Sequence, residues 1–367
     1  MKPNLIQFTL AVGFIFFGNI MSAQKYSNEF LNIGLGARAQ GMSNAITSVT
    51  NDAMSAYWNP AGLMDMGIDK GVQIGAMHNE WFAGIGKYDY LGIAVPISGG
   101  KRALAISGIR FGIDNIPNTL SLYQSDGTIN YDNVVEFSAA DYAFLASYAQ
   151  KIGKENSKLS MGMNMKVVYR QIGSFANSWG FGLDAGLQYH SGPLRLSLMA
   201  RDVTSTFNAW AFNFKANEKE QLKLTNNEIP LNSLEYTLPQ VVLGFGYYKE
   251  IAKFGILGTM DWVATTDGKR NVLVSAKPIS LAPSFGAELN YNKLVYLRGG
   301  IGRFQQQTEL DGQKSWLATP SFGVGLQLKA VKIDYAYSDM GDSRNKAYSH
   351  VISLIVHLKP KKTSKFG

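Results

Sequence analysis

Four histidines, at positions 78, 190, 350 and 357, and the absence of cysteine limit the chemistry open to this 367-residue chain. Without thiols there is no disulfide, no thiolate metal site, no cysteine nucleophile and no lipid-modified cysteine behind a leader. His350 and His357 stand too far apart for the i, i+4 spacing that puts two imidazoles on one metal. Neither a metal nor a cofactor is expected. No serine occupies a Gly-x-Ser-x-Gly elbow. Triads are recognised by geometry, so an acyl hydrolase or an accessory that modifies lipid A or lipopolysaccharide stays open, although nothing in the spacing recommends it. Gly34-x-Gly36 lacks both the third glycine of a dinucleotide loop and the Gly-Lys-Ser/Thr of a phosphate loop. The chain is read as a non-enzyme.

The other chemistry-bearing residues are charges set on the polar face of alternating stretches: Lys166, Arg170, Asp184, Arg195, Arg201, Asp261, Glu288, Arg298, Lys332 and Asp334. Such a row serves as a selectivity surface, as a hydrolytic site, or as paired charges that hold a plug in place. The last is preferred, because polar interiors are normal in plugged barrels.

The elements that carry these charges alternate with a period of two. Trp179, Phe181, Leu183, Ala185, Leu187 and Tyr189 share one face, while Ser178, Gly180, Gly182, Asp184, Gly186, Gln188 and His190 share the other. The same pattern recurs at 159–170, 284–291, 322–329 and 331–338. Many of these stretches reach ten residues, against about five or six in soluble proteins and about 9–11 for a tilted membrane strand. Strands are expected near 72–82, 87–97, 102–115, 137–150, 158–174, 178–190, 194–207, 239–250, 254–266, 283–292, 294–304, 316–329, 331–340 and 346–358. Connections after even-numbered strands are all short, and every long one (116–136, 208–238, 267–282 and 305–315) follows an odd-numbered strand. Short periplasmic turns and long outer loops mark an outer-membrane barrel, and a soluble sandwich has no reason to segregate them. Residues 271–276 are rich in β-formers, but an extra strand would make the count odd, so they are assigned to a loop. The fold expected is therefore all-β: a transmembrane antiparallel barrel of about 14 strands.

The N-terminus has the three-part layout of a secretory signal: Lys2, an apolar run from Leu5 to Phe17, and Ser22-Ala23-Gln24 with cleavage after Ala23. The alternative, an uncleaved anchor, needs ~20 apolar residues. The organisation expected is a signal at 1–23, a plug at 24–70, a barrel at 71–358 and a basic tail at 359–367, with both termini periplasmic. The net charge of +8 is scattered apart from Lys359, Lys361, Lys362 and Lys365. That pattern argues against nucleic acid, whose binders cluster their basic residues.

Residues 30–66 do not alternate. They carry Phe30-Leu31, Gly36-Ala37-Arg38-Ala39, Gly41-Met42, Asn51-Asp52-Ala53, Ala56 and Tyr57-Trp58-Asn59-Pro60-Ala61-Gly62-Leu63. This ordered set resembles the N-terminal region of the PorV/PorQ family, related to the FadL-type fatty-acid channels. Phe285-Gly286-Ala287-Glu288-Leu289-Asn290-Tyr291, Leu297-Arg298-Gly299-Gly300, Phe322-Gly323-Val324-Gly325-Leu326 and Ile333-Asp334-Tyr335-Ala336-Tyr337 resemble it as well. The resemblance implies a barrel of about 14 strands with an N-terminal hatch folded into the lumen, in the outer membrane of Bacteroidetes-type bacteria. It carries Arg38, Asn59, Pro60, Ala61 and Gly62 over as plug residues. It implies work in type IX secretion, with a translocon barrel or surface attachment complex, secreted proteins bearing C-terminal sorting domains, and outer-membrane lipid or lipopolysaccharide as partners. The alternative is a FadL-like transporter of a hydrophobic small molecule, which should show an apolar pocket beneath the loops and a gap in the wall.

Overall fold

The computed structural model describes residues 27–67, 71–124, 126–153, 157–308, 312–339 and 348–358. The expected signal at 1–23 and the basic tail at 359–367 lie outside the described residues. Sixteen strands follow one another: β1 (Val72–Trp81), β2 (Gly86–Ile97), β3 (Arg102–Asn118), β4 (Val135–Lys151), β5 (Leu159–Ile172), β6 (Ala176–Ser191), β7 (Leu194–Arg201), β8 (Thr206–Phe212), β9 (Ser233–Thr237), β10 (Gln240–Ile251), β11 (Phe254–Thr265), β12 (Ser280–Tyr291), β13 (Val295–Thr308), β14 (Lys314–Leu328), β15 (Val331–Asp339) and β16 (Tyr348–Leu358). Fourteen of them, all but β8 and β9, close into one antiparallel ring. β1 pairs with β16, β5 with β6, and β7 with β10.

The ring presents its apolar face outward. Ile106, Phe144, Met163, Met165, Trp179, Phe322 and Ile352 are all at least half exposed, while Ser107, Asn164, Lys166, Ser178, Ser321 and Ser353, one position away, are buried. A water-soluble protein does the reverse, so the wall is built for hydrocarbon. Among the described residues no helix is long and apolar enough to cross a membrane; the crossing is made by strands. Successive strands meet alternately at a turn end, as at 192–193, 252–253 and 329–330, and at a loop end, which carries 119–134 and 266–279.

One expectation needs correction. The sequence reading has a strand at 194–207 followed by an irregular loop at 208–238. Instead β7 stops at Arg201, and the chain turns at 202–205, where Asp202 and Ser205 adopt φ of 54° and 56°. It then resumes as β8 along the same neighbour. Ala185–Ser191 of β6 face β7, and Ala176–Phe181 face β8. A helix, α3 in chain order (Ala216–Leu224), and β9 complete an ordered excursion before β10. The alternation through Phe207, Ala209 and Ala211 simply continues β6's pairing. Residues 271–276 stay a loop, with one isolated bridge between Val274 and Leu281.

Residues 27–67 contain two single-turn helices, α1 (Ala37–Gln40) and α2 (Ser55–Trp58), and two 3₁₀ turns, at Glu29–Asn32 and Pro60–Asp65. They touch strands all round the ring. The Ala37 amide donates to Ser353 of β16, and the Ser43 amide to Ser321 of β14. Tyr90 of β2 donates to the Ala53 carbonyl, and Asn164 of β5 to that of Ala56. A segment bonded to opposite walls of a ring lies inside it. Glycines on the wall let its backbone approach: a Cβ at Gly162 would collide with Pro60 and Ala61, and one at Gly300 with Met42 and Ser43.

Candidate functional site: the plugged lumen

Two buried ionic clusters organise the lumen. In the first, Arg38 of α1 reaches Glu288 of β12 at 2.9 Å. Glu288 also holds Arg298 of β13 at 2.7 Å, and Arg298 holds Asp334 of β15 at 2.8 Å. Lys332 lies 3.4 Å from Asp334. Arg38 further donates to Asn51 and to the Val49 carbonyl. Burial disfavours the charge on Arg38, but Glu288 outweighs it, and the guanidinium is held more firmly protonated than usual. In the second cluster Lys166 of β5 bridges Asp184 of β6 at 2.8 Å and Asp202, at the turn after β7, at 2.6 Å. Asp184 also accepts the Asp202 amide.

The other charged residues singled out from the sequence are scattered by comparison. Arg170 pairs with Asp141 at 2.8 Å and lies over Trp210. Arg195 donates to the Gly192 carbonyl at the turn end. Asp261 accepts the amides of Ile46 and Thr47 at 3.0 and 2.9 Å, so a wall carboxylate clasps the plug backbone. Arg201 stacks on Tyr57 and Trp58 of α2, with 4.8 and 5.6 Å from its guanidinium carbon to the ring centroids. Asn59 caps the 3₁₀ turn by accepting from Ala61 and donates to the Leu187 carbonyl of β6. Pro60 opens that turn, where its missing N–H costs nothing, and the Gly62 amide donates to the Asn59 carbonyl.

Sequence reasoning missed Asp141 and Asp202, and it missed the aromatic pair Tyr57–Trp58 as a seat for a cation. Asp202 lies in a turn and carries no periodicity signal. The histidines stay apart: His78 pairs with Asp89, His190 with Asp65, and His350 bonds to Tyr335. No group of three potential metal ligands occurs among the described residues.

Two cavities flank the plug. One of about 390 Å³ lies at the turn end, between Arg38, Asp52, Arg195, Glu250, Lys293 and Lys332. The other, of about 260 Å³, lies at the loop end, between Tyr57, Trp58, Arg201, Val242, Val263 and Phe304.

The closed ring, the apolar exterior and the polar lumen define an outer-membrane β-barrel. No family model and no curated protein match the chain. Solved structures do. CymD, a monoaromatic hydrocarbon channel, superposes with a TM-score of 0.54 at 14% identity, covering 92% of this chain and 100% of that one. The Ralstonia pickettii toluene transporter TbuX gives 0.55 at 14%, covering 89% and 98%. A Pseudomonas aeruginosa FadL homologue gives 0.51 at 12%, covering 87% and 97%. At these identities the likeness is one of fold, and the fold is FadL-like.

Proposed function

We propose that this chain passes a hydrophobic small molecule across the outer membrane without chemical change. The observation that carries the reading is the loop-end cavity. It lies under the 266–279 loop, has an apolar side of Val242, Val263, Val272, Ala282, Pro283 and Phe304 floored by Tyr57 and Trp58 of the plug, and has a polar side that includes Gln240, Thr265, Ser280, Ser284 and Gln305. An apolar pocket with a few convergent polar groups is the usual form of a small-molecule site. Fold likeness to CymD and TbuX, whose names specify monoaromatic hydrocarbon and toluene, supports the same reading. Reconstitution in liposomes tests it. The barrel should speed entry of labelled toluene or of labelled phenylacetate over protein-free vesicles, and unchanged rates for both would overturn the reading.

A second reading, service in type IX secretion with a translocon barrel, an attachment complex or secreted cargo, rests on the resemblance to the PorV/PorQ family. One structural observation favours it. The 206–237 excursion is ordered, and it exposes Leu224, Leu231, Leu234 and Tyr236 where a partner could seat. Deleting 208–238 should then abolish co-purification of partners from solubilised outer membranes while the barrel still folds. Undiminished co-purification would remove that role from the excursion.

A further inference from the structure

The loop-end cavity sets an apolar side against a polar one, and its charges are unbalanced. Three arginines line it, Arg201, Arg270 and Arg303, against one carboxylate, Asp261. One oxygen of Asp261 accepts the Ile46 and Thr47 amides of the plug, and its other oxygen makes no hydrogen bond. Arg270 is committed at the mouth to Asp267 and Glu29. Arg201 is different. It lies over the rings of Tyr57 and Trp58, and among the described residues it forms no direct ion pair, although the Asp184 and Asp261 carboxylates are near enough to attract it. The nearest acidic cluster, Asp184 and Asp202, is held by Lys166.

A partly buried cation that faces its nearest carboxylates without a direct ion pair is only partly compensated, and an added anion would complete it. Stacking fixes the plane of a guanidinium and leaves its N–H edge to meet a planar acceptor in a two-pronged bond. We propose that the loop-end cavity binds a compact aromatic carboxylate, with Arg201 taking the carboxylate and Trp58, Phe304 and the Val242–Val263 wall taking the ring. This rests on the passage reading above and names its cargo.

Size and shape narrow the ligand further. At about 260 Å³ the cavity is smaller than the roughly 300–1,000 Å³ of pockets for drug-sized molecules. One aromatic ring with an acidic group fits that space, whereas an extended long-chain acid would have to leave it. The T-shaped Tyr57–Trp58 pair, with centroids 4.9 Å apart, presents an edge and a face to a third ring, an arrangement aromatic groups favour. A neutral ring would gain the same walls but would leave Arg201 without a direct ion pair, so the acid is preferred over its hydrocarbon.

Equilibrium dialysis on the full chain in detergent tests the proposal with three labelled probes: phenylacetate, toluene and palmitate. Phenylacetate should bind more tightly than either of the others. Arg201→Gln should weaken phenylacetate by about 10- to 100-fold, the worth of a hydrogen bond to a charged group, and leave toluene unchanged. Arg201→Lys keeps the charge but not the fork and should fall between. The gel-mobility shift of the folded barrel on heating checks that each variant is folded. Should Arg201→Gln fail that check, Phe304→Ala replaces it and should weaken both phenylacetate and toluene. Equal binding of phenylacetate and toluene, an unaltered phenylacetate affinity in Arg201→Gln, or tighter binding of palmitate would each overturn the proposal. Liposome uptake separates the two layers. Toluene entry without phenylacetate binding sinks only the cargo, whereas phenylacetate binding without accelerated entry of either probe sinks the passage reading and keeps the site.

Discussion

The two ionic clusters of the lumen use similar residues for different ends. The cluster on the β12–β15 side joins a plug residue to the wall: Arg38 and Glu288 are 250 positions apart, and the chain Arg38–Glu288–Arg298–Asp334 crosses three strands. The cluster on the β5–β7 side has its charges on the wall and the turn after β7, and reaches the plug through neutral Asn164, which donates to Asp184 and to the Ala56 carbonyl. There Lys166 draws in Asp202 where β7 breaks, and the turn at 202–205 depends on it. One cluster therefore fixes what fills the lumen, and the other fixes the shape of the wall beside the loop-end cavity.

The sharpest way to break this contrast is Glu288→Gln. It leaves Asp334 as the carboxylate in direct contact with Arg298 and Lys332, takes the ion pair from Arg38, and leaves Arg298 fully buried. Removing one partner of a buried ion pair costs about 3–5 kcal/mol. The urea midpoint of the purified barrel should fall, and protease should gain access to residues 27–67. Replacing both Arg38 and Glu288 by methionine should recover part of the loss, because an uncompensated charge costs more than an absent pair. A fall confined to the wall strands, with the plug still protected, would show that the first cluster does not anchor the plug.

Lys166→Met should cost less, about 2–4 kcal/mol. Asp184 and Asp202 are left facing each other, but two adjacent carboxylates can share one proton and relieve part of the penalty. Its effect should be local. Amide exchange should rise at 202–205 and in β8, and the plug should stay protected. Faster exchange in the plug than in β8 would merge the two clusters into one.

The wall was far more legible in the sequence than its contents. Outward positions such as Met163, Met165, Phe181 and Leu183 alternate with inward ones because one face meets hydrocarbon and the other a polar lumen. That constraint is local and has period two. Turn lengths revealed the pairing order for the same reason. Contacts of the plug have no such rhythm. Arg38 could be singled out from the ordered motif around it, but that Glu288 answers it could not, since nothing local couples the two. Arg201 was visible as an inward charge, whereas its seat on Tyr57 and Trp58 depends on where α2 stops inside the ring. The sequence reading carries one strand through Asp202-Val203-Thr204-Ser205, where two residues of positive φ in fact end β7, and it misses β9, which is only five residues long.

Asp261→Asn probes whether the wall holds the plug backbone as firmly as the Arg38 bridge holds its side chain. The carboxylate accepts two amides, and an asparagine oxygen would accept them without the charge. The expected loss is about 1.5–3 kcal/mol, the range for hydrogen bonds to charged groups. Calorimetry of the variant should show a lower midpoint with unchanged strand content, while an unshifted midpoint would leave Arg38 as the dominant anchor.

Asn59→Ala gives the smallest effect and separates two roles of one side chain. Its oxygen caps the 3₁₀ turn by accepting from Ala61, and its amide group reaches the Leu187 carbonyl of β6. Loss of a cap costs about 0.5–2 kcal/mol. Asn59→Asp keeps the accepting oxygen but loses the donor to Leu187, so it should retain the cap while setting a carboxylate against a carbonyl. If the alanine variant is the more stable of the two, a carboxylate set against the Leu187 carbonyl costs more than the cap returns, and the polarity of the wall contact governs this position. If the aspartate variant is the more stable, Asn59 acts within the plug, and the 3₁₀ turn at Pro60–Asp65 keeps its place against β5 and β6 by packing, through the close approach that Gly162 permits.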